Sequence, residues 1–117
     1  MNWEKLTIKA QEAISEAQKK AESSHHQGID NEHLLYSLVM QKDGIVRPIL
    51  DKLGANSGAV LADLEKELKS MPAVHGAAQV YITPRMKQTL DTAFIEAERL
   101  KDEYVSTEHL LIGIADA

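Results

Sequence analysis

Apolar residues recur along this chain at steps of three and four, and polar clusters mark where each run stops. Ala10, Ala13, Ile14, Ala17 and Ala21 form the first stripe, with Glu12, Glu16 and Lys20 between them. Thr7 stands in front as an N-cap, so the pattern predicts a helix to about Ser23. Its apolar face is narrow and built of small residues, which lets another helix approach closely. Ser23 to Gly28 is a polar break, and His25-His26 within it are expected to face water, as is His75 further on. Asp30 or Asn31 then caps a second helix, with Glu32 in its first turn and Leu34, Leu35, Leu38 and Val39 turned inward. Lys42-Asp43-Gly44 ends it. A short third helix runs through Val46, Ile49, Leu50 and Leu53, with Pro48 tolerated in its first turn and Gly54 closing it. Ser57 opens a fourth, with Val60, Leu61, Leu64 and Leu68 at core spacing.

Residues 71–81 lose the helical period and read as a connector, which Val80 and Tyr81 could order against the surface. Thr83-Pro84 then gives an N-cap followed by proline at the first helical position. Met86, Leu90, Ala93, Phe94, Ala97 and Leu100 form the next stripe, and Asp102-Glu103 mark its turn. Ser106 or Thr107 caps the last helix, with Leu110, Leu111 and Ile114 inward.

These elements occur twice. Ile29-Asp30-Asn31-Glu32-His33-Leu34-Leu35 returns 76 positions later as Val105-Ser106-Thr107-Glu108-His109-Leu110-Leu111. The same shift sets Leu6-Thr7 over Ile82-Thr83, Lys9 over Arg85, Ile14 over Leu90, Ala17 over Ala93 and Ala21-Glu22 over Ala97-Glu98. A register held over some thirty positions predicts two copies of one helical unit, which bury their faces against each other. The expectation is an all-α, pseudo-twofold single domain over residues 1–117: repeat one at 6–70, a connector at 71–81, and repeat two at 82–117. The helix pair at 45–70 has no counterpart in repeat two, so the last pair of that repeat is missing.

Composition narrows the chemistry. Aromatics are 4% of the chain, so the core is drawn from Leu, Ile, Val, Ala and Met, which suits helices. No cysteine is present, which excludes disulfides and a thiol nucleophile. The first residues have no apolar run behind them and do not read as a signal peptide, and no stretch has the length of a membrane span. The net charge of −5 argues against a nucleic-acid partner; the one basic pair, Lys19-Lys20, is soon followed by Glu22.

No phosphate-binding loop, nucleophile elbow or zincin helix motif occurs, so no catalytic residue and no metal site are expected. Glu32-His33 and Glu108-His109 are neighbours on a helix and point about 100° apart, so neither pair converges on one ligand. Joining His33 to His109 across the repeat axis would be needed for a metal; the plainer role of each ring is packing near a helix start. Thr7 and Thr83 are explained as caps, and Glu32 and Glu108 as acids favoured by the helix dipole. Taken together, a threonine and a glutamate from neighbouring helix starts, repeated twice, would form two polar notches for a cationic or guanidinium-bearing partner. Phe94, the only phenylalanine, is by default a core residue.

The motif Glu-His-Leu-Leu in both halves, Thr-x-x-Ala-Gln-Glu-Ala at 7–13 and the run from Ala97 to Leu111 resemble the N-terminal domain of the Clp family of AAA+ unfoldases. The connector, with Met71-Pro72-x-Val74 and Ala78-Gln79-Val80-Tyr81, is most similar to the ClpB disaggregase branch. The resemblance implies an eight-helix pseudo-twofold domain, of which about six helices fall within this sequence. It implies a non-enzymatic domain without a cofactor, ahead of ATPase modules that use ATP and magnesium in a cytoplasmic homohexamer. Partners would be unfolded or aggregated polypeptides, with no nucleic acid and no membrane. Positions tied to that activity match Thr7, Asp102 and Glu108, and the expected apolar contacts are Val80, Tyr81, Leu90 and Phe94. In ClpC-like relatives, matching positions bind phosphoarginine, and ClpA- and ClpC-like domains dock adaptor proteins. Thr7, Glu32, Thr83 and Glu108 are all present for that alternative.

Overall fold

In the computed structural model, residues 1–76 and 79–117 are described; connector positions 77 and 78, Ala78 of the motif among them, lie outside the described residues. After a short 3-10 turn at Trp3–Lys5, the described residues form α1 (Ile8–Ser23), β1 (Gly28–Ile29), α2 (Asn31–Met40), α3 (Val46–Lys52), α4 (Ser57–Ser70), β2 (Tyr81–Ile82), α5 (Pro84–Arg99) and α6 (Thr107–Ala115). The architecture is helical, as the apolar spacing predicts; the two-residue strands are an addition that no periodicity signals. Leu53 and Leu100 depart from the expected stripes. Each falls one residue beyond its helix and is exposed, because the chain turns before the next inward position.

The caps sit where the sequence places them. Thr7 Oγ1 accepts from Ala10 N at 3.2 Å, and Thr83 Oγ1 accepts from Met86 N at 3.1 Å. Asp30 and Ser106 are the N-caps of α2 and α6, each in a capping box closed by a histidine three residues on. α1 and α5 end in the same way. His25 and Lys101 take left-handed backbone (φ 58° and 60°), and the next amides reach back to Ala21 O and Ala97 O at 2.9 and 2.8 Å.

α1 packs along α2 and α5 along α6, while α4 lies on α2. Small residues make the close approach. Ser37 Oγ donates to the α1 backbone at Ala13 O, 2.7 Å away. At the position 76 residues on, Gly113 lies so near α5 that a Cβ would stand 2.5 Å from Thr89 O. One core, centred on Ala13, Ala17, Leu34, Leu38, Met86, Ala93 and Leu110, joins α1, α2, α5 and α6, with Leu61 of α4 packed against it.

The two helix pairs exchange backbone hydrogen bonds. β1 pairs with β2 in parallel, Ile29 opposite Ile82, and Leu6 forms a parallel bridge with Val105. Thr7 N donates to Val105 O at 2.9 Å, and Thr83 N donates to Ile29 O at 3.1 Å. A shift of 76 converts one set of pairs into the other. Each lead-in segment thus binds the loop of the opposite pair, the reciprocity expected across a two-fold axis. Cap residues have extended backbone, which leaves their amides free for this exchange.

Candidate functional site

The reciprocal bridge brings the start of α1 beside the start of α6. Thr7 and Glu108 line one recess of about 410 Å³, together with Ile8, Ile45, Ser106 and Thr107. The Glu108 side chain is 46% exposed there, and among the described residues no Lys or Arg lies within ion-pair distance of it, although Lys9 and Asp43 line the same recess. Lys9, which also lines the recess, donates from Nζ to Lys42 O at 2.9 Å. Ile8 is 68% and Ile45 43% exposed, so the carboxylate stands next to open apolar surface.

In the first half the matching glutamate, Glu32, is paired. Both terminal nitrogens of Arg85 donate to Glu32 Oε2 at 3.3 Å, and its Nε lies 3.7 Å from Asp30 Oδ1. Arg85 corresponds to Lys9 under the 76-residue shift, yet the two cations take different partners.

Asp102 does not line the Thr7–Glu108 recess. Its carboxylate accepts from His109 Nε2 at 2.8 Å, while His109 Nδ1 accepts from Ser106 N at 2.9 Å. Asp102 therefore orients the histidine that follows Glu108. In the first half, His33 Nδ1 accepts from Asp30 N at 2.9 Å, which leaves the ring proton on Nε2. That proton points at His26 Nδ1, 2.8 Å away. His26 is thus the counterpart of Asp102, and the expectation that it faces water is wrong: it is 6% exposed. The turn closing α1 carries it inward, and burial holds both rings below the ordinary histidine range. The Leu68 backbone opposes the shift at His26, and Glu32 and Asp30 oppose it at His33. Both nitrogens of His33 and of His109 are spent on these partners. Among the described residues no group of three or more His, Cys, Asp or Glu is placed to hold a metal.

The apolar residues read from the sequence do not share one open face. Leu90 is 3% exposed and belongs to the core, so a partner cannot reach it while α5 stays packed. Phe94 and Val80 are partly buried against that core, and Val80 lines a recess of about 550 Å³ with Gln18, Glu22, His25 and Val74. Tyr81 is exposed. Trp3, Ile8, Met40 and Ile45 are exposed as well, and none of them belongs to the inward stripes read from the sequence. The signal was there: Ile8 and Met40 are apolar residues off the buried stripe of their own helices.

No helix of the described residues is long and apolar enough to cross a membrane. The chain matches the model of the Clp repeat (R) N-terminal domain over residues 5–117. It is 40% identical over 112 residues to the chaperone protein ClpB of Rhodopirellula baltica, covering 96% of this chain and 13% of that protein. To ClpB of Bacillus anthracis it is 38% identical over 120 residues, covering 99% and 14%. The chain thus spans about one seventh of the curated relatives it matches. Among solved structures, the N-terminal domain of the ClpV1 ATPase from E. coli superimposes with a TM-score of 0.87 at 19% identity, covering 97% of this chain and 69% of that one. The Hsp104 N-terminal domain of Candida albicans gives 0.85 at 17%, covering 93% and 72%. With its capped helix pairs, its Glu-His-Leu-Leu turns and a match over nearly its full length, the chain belongs to the Clp repeat N-terminal domain family.

Proposed function

We propose that this chain is the N-terminal recognition domain of a ClpB-like disaggregase, which binds exposed segments of unfolded or aggregated polypeptide and passes them to an ATPase ring. The observation that carries this reading is the recess shared by Thr7 and Glu108 beside exposed Ile8 and Ile45. Apolar contact is non-directional and tolerates clients without a fixed sequence. The open carboxylate adds attraction for basic residues, which flank apolar segments in many chains. Burying one or two isoleucine side chains contributes roughly 1.5–3 kcal/mol each, so binding is weak and release fast, as handover requires. In this reading the domain is non-catalytic and carries no cofactor. ATP and magnesium belong to other modules of a cytoplasmic homohexamer, and the two halves are copies related by a near half-turn. Titration of an isotope-labelled chain with an unfolded model client tests it. Shifts are expected at residues 7–9, 43–45 and 106–108, with Tyr81 and Val80 as the second place to watch. An unchanged spectrum at saturating client sinks the proposal.

A second reading is favoured by one contact. Glu32 already carries the guanidinium of Arg85, which supports the reading of these first-turn carboxylates as guanidinium acceptors. In this reading an N-domain of a ClpC-like unfoldase takes phosphoarginine through Thr7, Glu32, Thr83 and Glu108, and a ClpA- or ClpC-like domain docks an adaptor. Calorimetry with free phosphoarginine separates the two: heat that disappears in Glu32→Ala and Glu108→Ala favours this second reading.

A further inference from the structure

The outer face of α1 and the facing side of α2 enclose a groove of about 880 Å³ that adjoins the Thr7–Glu108 recess and extends away from it along α1. At one end its floor is apolar: Trp3 is 41%, Ile8 68% and Met40 50% exposed. Its rim is basic. Lys9, Lys19, Lys20 and Lys42 line it against only Glu12 and Glu16, a local balance of +2 in a chain whose net charge is −5. Lys20 is held in place over the Tyr36 ring, 4.4 Å from its centroid. The second half has no such face, because the 76-residue shift puts Ile95 and Glu96 where Lys19 and Lys20 stand.

We propose that this groove docks an acidic amphipathic helix presented by a partner protein. The shape points to a helix. The groove walls are helices whose backbone groups are already paired, so an extended peptide would find no edge to hydrogen-bond, whereas a helix arrives with its own backbone satisfied. Lining residues run from Ile8 to Ser23 along α1, about 22 Å at 1.5 Å per residue, which accommodates about four turns. The chemistry points to acid. Carboxylates on the partner meet the lysine rim, and leucine-like side chains on its other face cover Trp3, Ile8 and Met40. This groove adjoins the client-binding recess, with Ile8, Lys9 and Gln41 bordering both, while Trp3, Lys19, Lys20 and Met40 line the groove alone.

Trp3 is the only tryptophan and lies in the groove, so its fluorescence reports occupancy directly. The probes are a Leu/Glu peptide of about eighteen residues with leucines at helical spacing, and the same peptide with every Glu replaced by Lys. The acidic peptide is expected to shift Trp3 emission to the blue and to gain helical circular dichroism on binding, with affinity falling as salt rises. The basic peptide is expected to bind at least about tenfold more weakly, and Lys19→Glu/Lys20→Glu to reverse that preference. These lysines are on the surface, so the variant's own circular dichroism confirms that it folds; Ile8→Ser, at another exposed position, is expected to weaken both peptides. Equal binding of the two peptides overturns the proposal, as does acidic-peptide binding that leaves Trp3 unmoved. Self-association that protects Trp3 without any peptide makes a second copy the occupant and overturns it as well.

Discussion

The buried pair His26–His33 makes acid sensitivity a quantitative expectation. His33 is 0% and His26 6% exposed, and both are held below their ordinary pKa of 6.5, chiefly by burial. The folded state therefore binds fewer protons than the unfolded chain below pH 6.5. Stability is fully present above that value and falls as pH drops toward the folded-state pKa values. The groups facing the pair are Lys20, His25, Asp30, Glu32 and the Leu68 backbone, and Glu32 and Asp30 limit the effect by favouring a charged His33. For each ring that stays neutral, linkage predicts a loss of about 1.4 kcal/mol between pH 7.5 and 5.5, hence at most about 2.7 kcal/mol for the two. Protonation also breaks the bond itself, because His26 Nδ1 can no longer accept from His33 Nε2. Urea midpoints at pH 7.5, 6.5 and 5.5, at fixed salt, measure the slope. His26→Asn keeps an acceptor near the place of Nδ1 but removes one titrating ring, so about half of the pH-dependent loss should vanish. A wild-type stability that is flat over this range, or a slope unchanged in His26→Asn, refutes the reasoning. Nitrogen shifts that put the His33 proton on Nδ1 would refute the hydrogen-bond assignment on which it rests.

Other substitutions probe the packing and the caps. Gly113→Ala places a methyl group 2.5 Å from the Thr89 carbonyl oxygen, and the forced separation of α5 and α6 should cost about 1–3 kcal/mol, outweighing the better helix propensity of alanine; thermal melts read this directly. Thr83→Ala removes the acceptor for Met86 N and should lower stability by about 1 kcal/mol in denaturant titrations, with Thr7→Ala similar at α1. Lys101→Gly relieves a left-handed backbone at an exposed position and should raise the melting temperature, by an amount worth about 1 kcal/mol or less. Arg85→Ala breaks an ion pair whose arginine is 55% exposed, so its stability cost should stay under about 1 kcal/mol in denaturant titrations while Glu32 loses its cationic partner.

What the sequence determined by itself was set over short distances. The spacing of apolar positions predicted the helices; Thr7 and Thr83 marked two of their starts, and Asp30 or Asn31 and Ser106 or Thr107 narrowed two more to a pair of positions, because a cap bonds only within the first turn. The small-residue stripe of α1 announced a close helix neighbour for the same local reason. Tertiary structure decided the rest. It placed Thr7 with Glu108 across the interface between the halves, turned Arg85 onto Glu32 across 53 positions, and folded His26 under the end of α4. It also took Leu90 out of reach and left Trp3, Ile8 and Met40 uncovered along a lysine-lined groove. Periodicity says which side of a helix is apolar. Which apolar residue stays open, and which charge finds a partner, depends on what packs against that side from a distant part of the chain.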